Sequence, residues 1–300
     1  MSLSRNEWTG GACMRLNIFT YLTGYFRPEL YERFAGSLFD TGFSGKLYLF
    51  IHERDHHCLG LLSQELQDKI SFVTCPRTLS HDNGLDEDTQ DLNFDEVIHA
   101  QNFRYLLYLS FLQQNKQKKN EYSFFCDSKD LLFQKNPEEY IIDEDIDMVV
   151  FEEDTIIKDC FWNMSFFDMI KSHVPTGNYD YNTKKAICSG TTLVKNSALY
   201  YFINNFCDYM MQYKLNHMAF MDQGLHNYLI YNNLYGCNVK ILDNKNELVY
   251  TAGHDKDNVN LDDNNQILNA SSKVPYIVHQ YDRLDKSLLD QISSKYEFNV

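Results

Sequence analysis

FFCDSKDLLFQKNP, Phe124–Pro137, is the stretch on which the fold turns. Tyr122 to Cys126 (YSFFC) is a short apolar run between polar residues, the mark of a central strand buried on both faces, and it runs directly into Asp127. Ligands of open α/β sheets bind beyond the carboxyl ends of the strands. Asp127 and Asp130 therefore stand where a site belongs, and two carboxylates can hold a hard divalent cation, Mn2+ or Mg2+, against a diphosphate. They can equally form an Asx-turn, with Asp127 capping the next short helix and Lys129 and Asp130 in solvent.

Upstream, strands and helices alternate, the pattern of a mostly parallel sheet covered by helices. Leu16 to Leu22 predicts a strand. Pro28 opens a helix to about Asp40, closed by Gly42. Lys46 to His52 predicts the second strand, Leu59 to Lys69 a helix and Ile70 to Thr74 the third strand, completing a βαβαβ unit. Cys75 to Gln90 is polar and predicts a surface loop. Asn93 with Glu96 reads as a capping box for a helix through Leu106 and Leu107 to about Gln114.

Downstream, strands are expected at Asp147 to Glu152, Ala186 to Val194, near Val239 and Tyr250, and at Tyr276 to His279. Helices are expected at about Ser197 to Tyr213 and Asp222 to Tyr231. Residues 253–273, rich in Asp and Asn, predict a mobile loop. The expected organisation is an unfolded leader, 1–14, and one α/β domain, 15–300, with a nucleotide-sugar half to about 150 and an acceptor half from about 151.

A chain of 300 residues can bury roughly three quarters of its unfolded surface, so it needs no staples. Lys plus Arg number 27 against 42 Asp plus Glu, a net charge of -15, which excludes a broad phosphate-backbone surface and with it nucleic acid as a partner. The short basic run Lys116, Lys118 and Lys119 suits a helix end. Eight cysteines are scattered singly, with no C-x-x-C pair and no secretory leader, as in a cytoplasmic protein with reduced thiols. No apolar run reaches the roughly 18 to 20 residues of a membrane span, which leaves peripheral contact at most. His56-His57-Cys58 does not make a zinc site, because adjacent residues cannot converge on one tetrahedral centre.

Two later segments bear on Asp127. VPYIVHQYDR, Val274 to Arg283, puts His279 at the end of a short apolar strand, where its imidazole can complete a metal site. FMDQGLHNYLIY puts Asp222 and Gln223 at a helix start, where Asp222 is either an N-cap or a group pointing into the cleft.

In order along the chain, the βαβ unit, QNFRYLLYL with Arg104, CDSKD, ICSGTTLV, MDQGLHNYL and the late His279 resemble the GT-A glycosyltransferases, over roughly Leu16 to Arg283. The layout is similar to the glycogenin and bacterial galactosyltransferase group. The wording is similar to relatives with an Asp-Ser-Arg-Asp type motif and a late His-Gln-Tyr-Asp-Arg. The resemblance implies a GT-A fold with a mixed, mostly parallel sheet, a nucleotide-diphosphate sugar as donor, a UDP-sugar first among them, and a carbohydrate, lipid or protein acceptor. By the same resemblance Thr20, Tyr21 and Thr23 hold base and ribose, Arg104 faces the donor, and Asp127 and His279 are metal ligands. Ser189 and Gly190 let the sugar approach the backbone, and Asp222 and Gln223 contact the transferred sugar or its acceptor.

The family motif is Asp-x-Asp, whereas this chain has Asp127-Ser128-Lys129-Asp130. Asp130 can still converge on the cation if the chain turns after Asp127, or Lys129 can itself meet the diphosphate. An inverting enzyme needs a base, Asp222 first, with Asp180 or Asp154 behind it, and a retaining one does not. A nucleotidyltransferase of the same fold opens with a Gly-rich phosphate loop, and TYLTGYFRPE has a single glycine, Gly24. An inactive carbohydrate-binding protein, with Trp162, Tyr179 and Tyr181 as a sugar platform, is the alternative of another class.

Overall fold

The computed structural model describes residues 14–22, 28–75, 100–174, 176–256 and 259–293. Strands and helices alternate from the start: β1 (Leu16–Tyr21), α1 (Pro28–Asp40), β2 (Lys46–His52), α2 (Gln64–Lys69), β3 (Ile70–Cys75) and α3 (Ala100–Gln114). Next come β4 (Tyr122–Cys126), β5 (Leu131–Phe133), β6 (Met148–Ile156), α4 (Phe161–His173), β7 (Lys185–Lys195), α5 (Leu199–Gln212) and α6 (Met221–Tyr231). The last elements are β8 (Val239–Leu242), β9 (Val249–Thr251), β10 (Asn260–Leu261), β11 (Ile267–Leu268), β12 (Ile277–His279) and α7 (Lys286–Ser293).

Seven strands form one sheet in the order β3-β2-β1-β4-β7-β6-β8. Neighbours are parallel except at β7, which runs antiparallel to both β4 and β6. Reversing twice across β7 leaves β6 parallel to β4, so both have their carboxyl ends at one edge of the sheet.

Alternate residues of β1 enter opposite layers. Phe19 and Tyr21 join the core that α3, α5 and α6 cover, and Leu16 and Ile18 join the core under α1. Phe19 stacks on Phe125 at 5.1 Å and on Tyr48 at 4.9 Å between ring centres, tying three strands together. Each such buried ring contributes roughly 1.5–3 kcal/mol of transfer free energy.

A second sheet of three strands, β5-β12-β9, lies beyond the carboxyl end of β4, with β12 antiparallel to β5 and parallel to β9. The segment Leu131–Phe133 is a strand here, not the short helix that the Asx-turn alternative places after Asp127.

Three expectations are corrected. The helix predicted over Leu59 to Lys69 is divided into a 3-10 stretch, Glu53–Leu61, and the short α2. Gly60 weakens a helix interior by its backbone entropy, and Ser63 sits at a new N-cap. Residues 253–273 are not a plain loop, since β10 and β11 pair antiparallel across a turn in which Asp262 Oδ1 accepts from the N–H groups of Asn264 and Gln266. Met14, assigned to the leader, is buried, and its N–H donates to the Glu138 carbonyl at 2.8 Å. The capping box at Asn93 and Glu96 lies outside the described residues.

Gly42 has φ +83, and its N–H donates to the Phe39 carbonyl, so it ends α1 as predicted. No helix among the described residues is long and apolar enough to cross a membrane.

Candidate active site

Sheet register assembles the site. On β4, Cys126 pairs with Thr191 of antiparallel β7, which puts Asp127 beside Gly190, and the Asp127 N–H donates to the Gly190 carbonyl at 2.9 Å. The chain then turns through Ser128 and Lys129 into β5, whose Leu131 pairs with His279 of β12. Asp130 is thereby carried next to His279. The ligand atoms of Asp127, Asp130 and His279 all lie within 4.8 Å of one another.

His279 is 1% exposed, and its Nε2 lies 3.4 Å from Asp130 Oδ2 and 3.6 Å from Asp127 Oδ2. Nε2 and Asp130 Oδ1 are buried with no hydrogen bond among the described residues. Two carboxylates and an imidazole with unused lone pairs, all facing one point, are a donor set that fits a divalent cation. Asp130 is largely buried, with a side chain 14% exposed, so the solvated Asx-turn alternative does not hold. Lys129 is exposed at the cavity wall, and its backbone carbonyl accepts from the Tyr281 hydroxyl at 3.5 Å.

Arg104 of α3 bridges two acids. Nη1 bonds Asp127 Oδ1, and Nη2 bonds Asp222 Oδ2 at 2.7 Å. Enclosure pushes the Asp127 carboxyl up, but Arg104 beside it and His279 outweigh this and hold it well below the usual carboxylate range. Burial raises Asp222 against the opposing pull of Arg104, and there burial wins.

Asp222 also accepts from Ser189 Oγ at 3.1 Å. It is not the N-cap of α6: that position is Phe220, in the left-handed region at φ 58, ψ 21. Gln223 Oε1 accepts from the Ser189 N–H at 2.8 Å, and its Nε2 lies 3.3 Å from Glu153 Oε1. The amide is thus fixed at both ends.

A cavity of about 500 Å³ opens over this network. Of the residues singled out in the sequence, Tyr21, Arg104, Asp127, Lys129, Asp130, Ser189, Gly190, Asp222, Gln223 and His279 all line it. Thr20 does not, being fully buried beneath the wall. Thr23 lies outside the described residues. Asp154 pairs with Lys185 at 2.8 Å and Asp180 holds a turn with Asn182, both away from the cavity, so neither serves as the base behind Asp222.

Sequence reasoning missed Glu153, Asn163, Phe166, Phe220, His254 and Arg283, which line the other parts of the cavity. Glu153 carried a usable signal: like Asp127 it is an acid that ends an apolar strand run, MVVFEE, on a strand parallel to β4. Phe220 and Trp162 are 52% and 66% exposed. A left-handed bulky residue is strained, and such strain gathers at functional sites.

No protein-family model matches the sequence, and the comparison with curated proteins found no match. Solved structures are similar in fold. An active-site mutant of LgtC aligns over 93% of this chain and 95% of its own, with 9% identity and a TM-score of 0.51. The galactosyltransferase LgtC with donor and acceptor sugar analogs aligns over the same shares at 0.48. The apo glycosyltransferase GlyE of Streptococcus pneumoniae TIGR4 aligns at 0.46 with 13% identity, over 93% of this chain and 60% of its own. The likeness is one of architecture, and the chain has the GT-A fold: a mixed, mostly parallel sheet flanked by helices.

Proposed function

We propose that the protein is a glycosyltransferase that moves a sugar from a nucleotide-diphosphate donor, a UDP-sugar first, to an acceptor hydroxyl. The observation that carries this is the convergence of Asp127, Asp130 and His279 at the carboxyl end of β4, inside a cavity large enough for a nucleotide sugar.

Asp127, Asp130 and His279 would hold Mn2+ or Mg2+. A cation there supplies Lewis-acid neutralisation of the leaving diphosphate. Lys129 and Arg283, exposed at the cavity wall, add positive charge for the same oxygens. Tyr21, at the end of β1, lines the cavity where the base would lie.

Arg104 fixes Asp127 and Asp222 together, so the ligand carboxylate and the sugar-facing carboxylate keep one spacing. Ser189 and Gly190 form the floor on which the sugar lies, with no side chain larger than a hydroxymethyl group. Transfer breaks the bond from the anomeric carbon to phosphate and forms one to the acceptor oxygen, whose proton departs. The nucleotide half then runs to about residue 150 and the acceptor half from about 151, with Trp162, Phe166 and Phe220 at the acceptor mouth.

Ligand-linked stability tests the assignment. Manganese with UDP stabilises a true site by about 2.7 kcal/mol at a hundred times the dissociation constant, and Asp127→Ala abolishes the shift. A shift of equal size in Asp127→Ala contradicts the assignment of the metal site.

A further inference from the structure

Gln223 joins a second polar cluster on the cavity wall. Glu153 is 3% exposed. Its Oε1 accepts from Gln223 Nε2 and its Oε2 lies 3.3 Å from His254 Nε2. Asn163 Oδ1 lies 3.5 Å from the same Gln223 nitrogen. All four side chains line the cavity.

Among the described residues no lysine or arginine pairs with Glu153. A buried carboxylate without a permanent cation is costly to keep, and a glutamine of the same shape would spare that cost. Burial pushes its carboxyl up, but the hydrogen bonds from His254 and Gln223 outweigh burial and hold it below its ordinary value. With an N–H donor at each of its two oxygens, Glu153 presents an ionised carboxylate at this end of the cavity.

His254 has its Nε2 engaged with Glu153, and its Nδ1 has no partner among the described residues. With Nε2–H donated to the carboxylate, Nδ1 is the acceptor lone pair that a hydroxyl can use. The ring is 30% exposed by side chain and so is within reach of a ligand in the cavity.

From this juxtaposition we infer, on the glycosyl-transfer assignment above, that Glu153 and His254 select the acceptor: His254 takes a hydroxyl of a neutral sugar, and the Glu153 carboxylate behind it rejects sugars bearing a carboxylate, phosphate or sulfate beside that hydroxyl. His254 touches the acceptor. Glu153 is a positioning and selectivity residue. Like charges brought together at a desolvated interface are strongly penalised, which is how a single carboxylate enforces the choice.

Equilibrium binding of matched probes tests this without turnover: p-nitrophenyl β-glucoside against its glucuronide, and β-galactoside against its galacturonide, titrated into the full chain. The wild type binds the neutral member of at least one pair about tenfold or more tighter. In Glu153→Gln that ratio falls to about threefold or less, mainly through gained uronide affinity, an outcome that a general loss of structure does not produce. His254→Ala, on an accessible turn, loses about fivefold or more of the neutral affinity and serves should the buried substitution not fold.

Equal affinity for both members in the wild type, binding of neither, or a ratio unmoved by Glu153→Gln overturns the inference. So does preference for the uronides, the result expected if Arg283, whose side chain lies against Gly253 on the adjoining turn, governed this rim. Selective binding of the neutral glycoside by a protein that releases no nucleotide from any sugar nucleotide leaves the selectivity standing and removes the transfer assignment, so the two fail separately.

Discussion

Gly190 stands directly against Asp127. A methyl group placed on Gly190 would lie 2.3 Å from Asp127 Oδ2 and 3.0 Å from His279 Cε1. The absence of a side chain on β7 is therefore what gives the Asp127 carboxylate its place.

Gly190→Ala should lower the rate of nucleotide release by about tenfold or more, because the displaced carboxylate is held on its other side by Arg104. The stability cost should be modest, about 1–3 kcal/mol, as for other overpacked interiors. Parallel denaturant melts and activity measurements check the pair. Full activity would show that Asp127 is free to move.

Removing Arg104 leaves Asp127 and Asp222 as neighbouring acids with no shared cation. Arg104→Ala should destabilise the fold by roughly 3–5 kcal/mol, as for other broken buried pairs. Arg104→Lys should recover only part of this, since one ammonium cannot make both bonds of the guanidinium fork. Urea unfolding of the two variants decides, and equal stability in both would mean that the fork geometry is irrelevant.

Much of this arrangement is legible in sequence for a definite reason. Asp127 and His279 each end a short apolar strand run and Asp222 stands at a helix start after apolar residues, whereas Arg104 is indicated only by the resemblance. The strands β1, β2 and β4 follow their apolar runs, and Gly42 ends α1. The hidden part depends on register between distant segments. Leu131–Phe133 forms a strand only because β12 supplies a partner about 150 residues later, as the pairing of Leu131 with His279 requires. Glu153 and His254 are a hundred residues apart and meet only through the folded sheet. The Asp- and Asn-rich segment reads as a loop because the same residues that build loops also build the tight turn between β10 and β11.

His226 gives the stability a pH dependence. It is fully buried between Tyr235 and Thr192, and burial, reinforced by Arg104, lowers its pKa from 6.5 to about 3. The folded state therefore binds fewer protons than the unfolded chain below pH 6.5, so the stability is complete above that value and is lost as pH falls toward 3. Between pH 6.5 and 5, before most carboxylates titrate, the slope should approach about 1.4 kcal/mol per pH unit. Denaturation midpoints across this window should flatten in His226→Phe. An unchanged slope assigns the dependence to another group.

Phe220 should report its own strain. At φ 58 a side chain crowds the backbone and glycine does not, so Phe220→Gly should be more stable than Phe220→Ala by about 1 kcal/mol, a comparison from which the lost ring cancels. Thermal melts of the two variants read the difference, and a more stable alanine variant would refute the left-handed backbone.

Nucleotide release from a panel of UDP- and GDP-sugars, measured with Mn2+ and with a chelator for the wild type and Asp127→Ala, decides whether Asp127 serves a metal-assisted sugar transfer. The wild type should release nucleotide from at least one sugar nucleotide with the metal and lose that activity to the chelator. Asp127→Ala should lose about a hundredfold or more. No release from any donor, or equal rates in the wild type and Asp127→Ala, would refute metal-assisted transfer at Asp127.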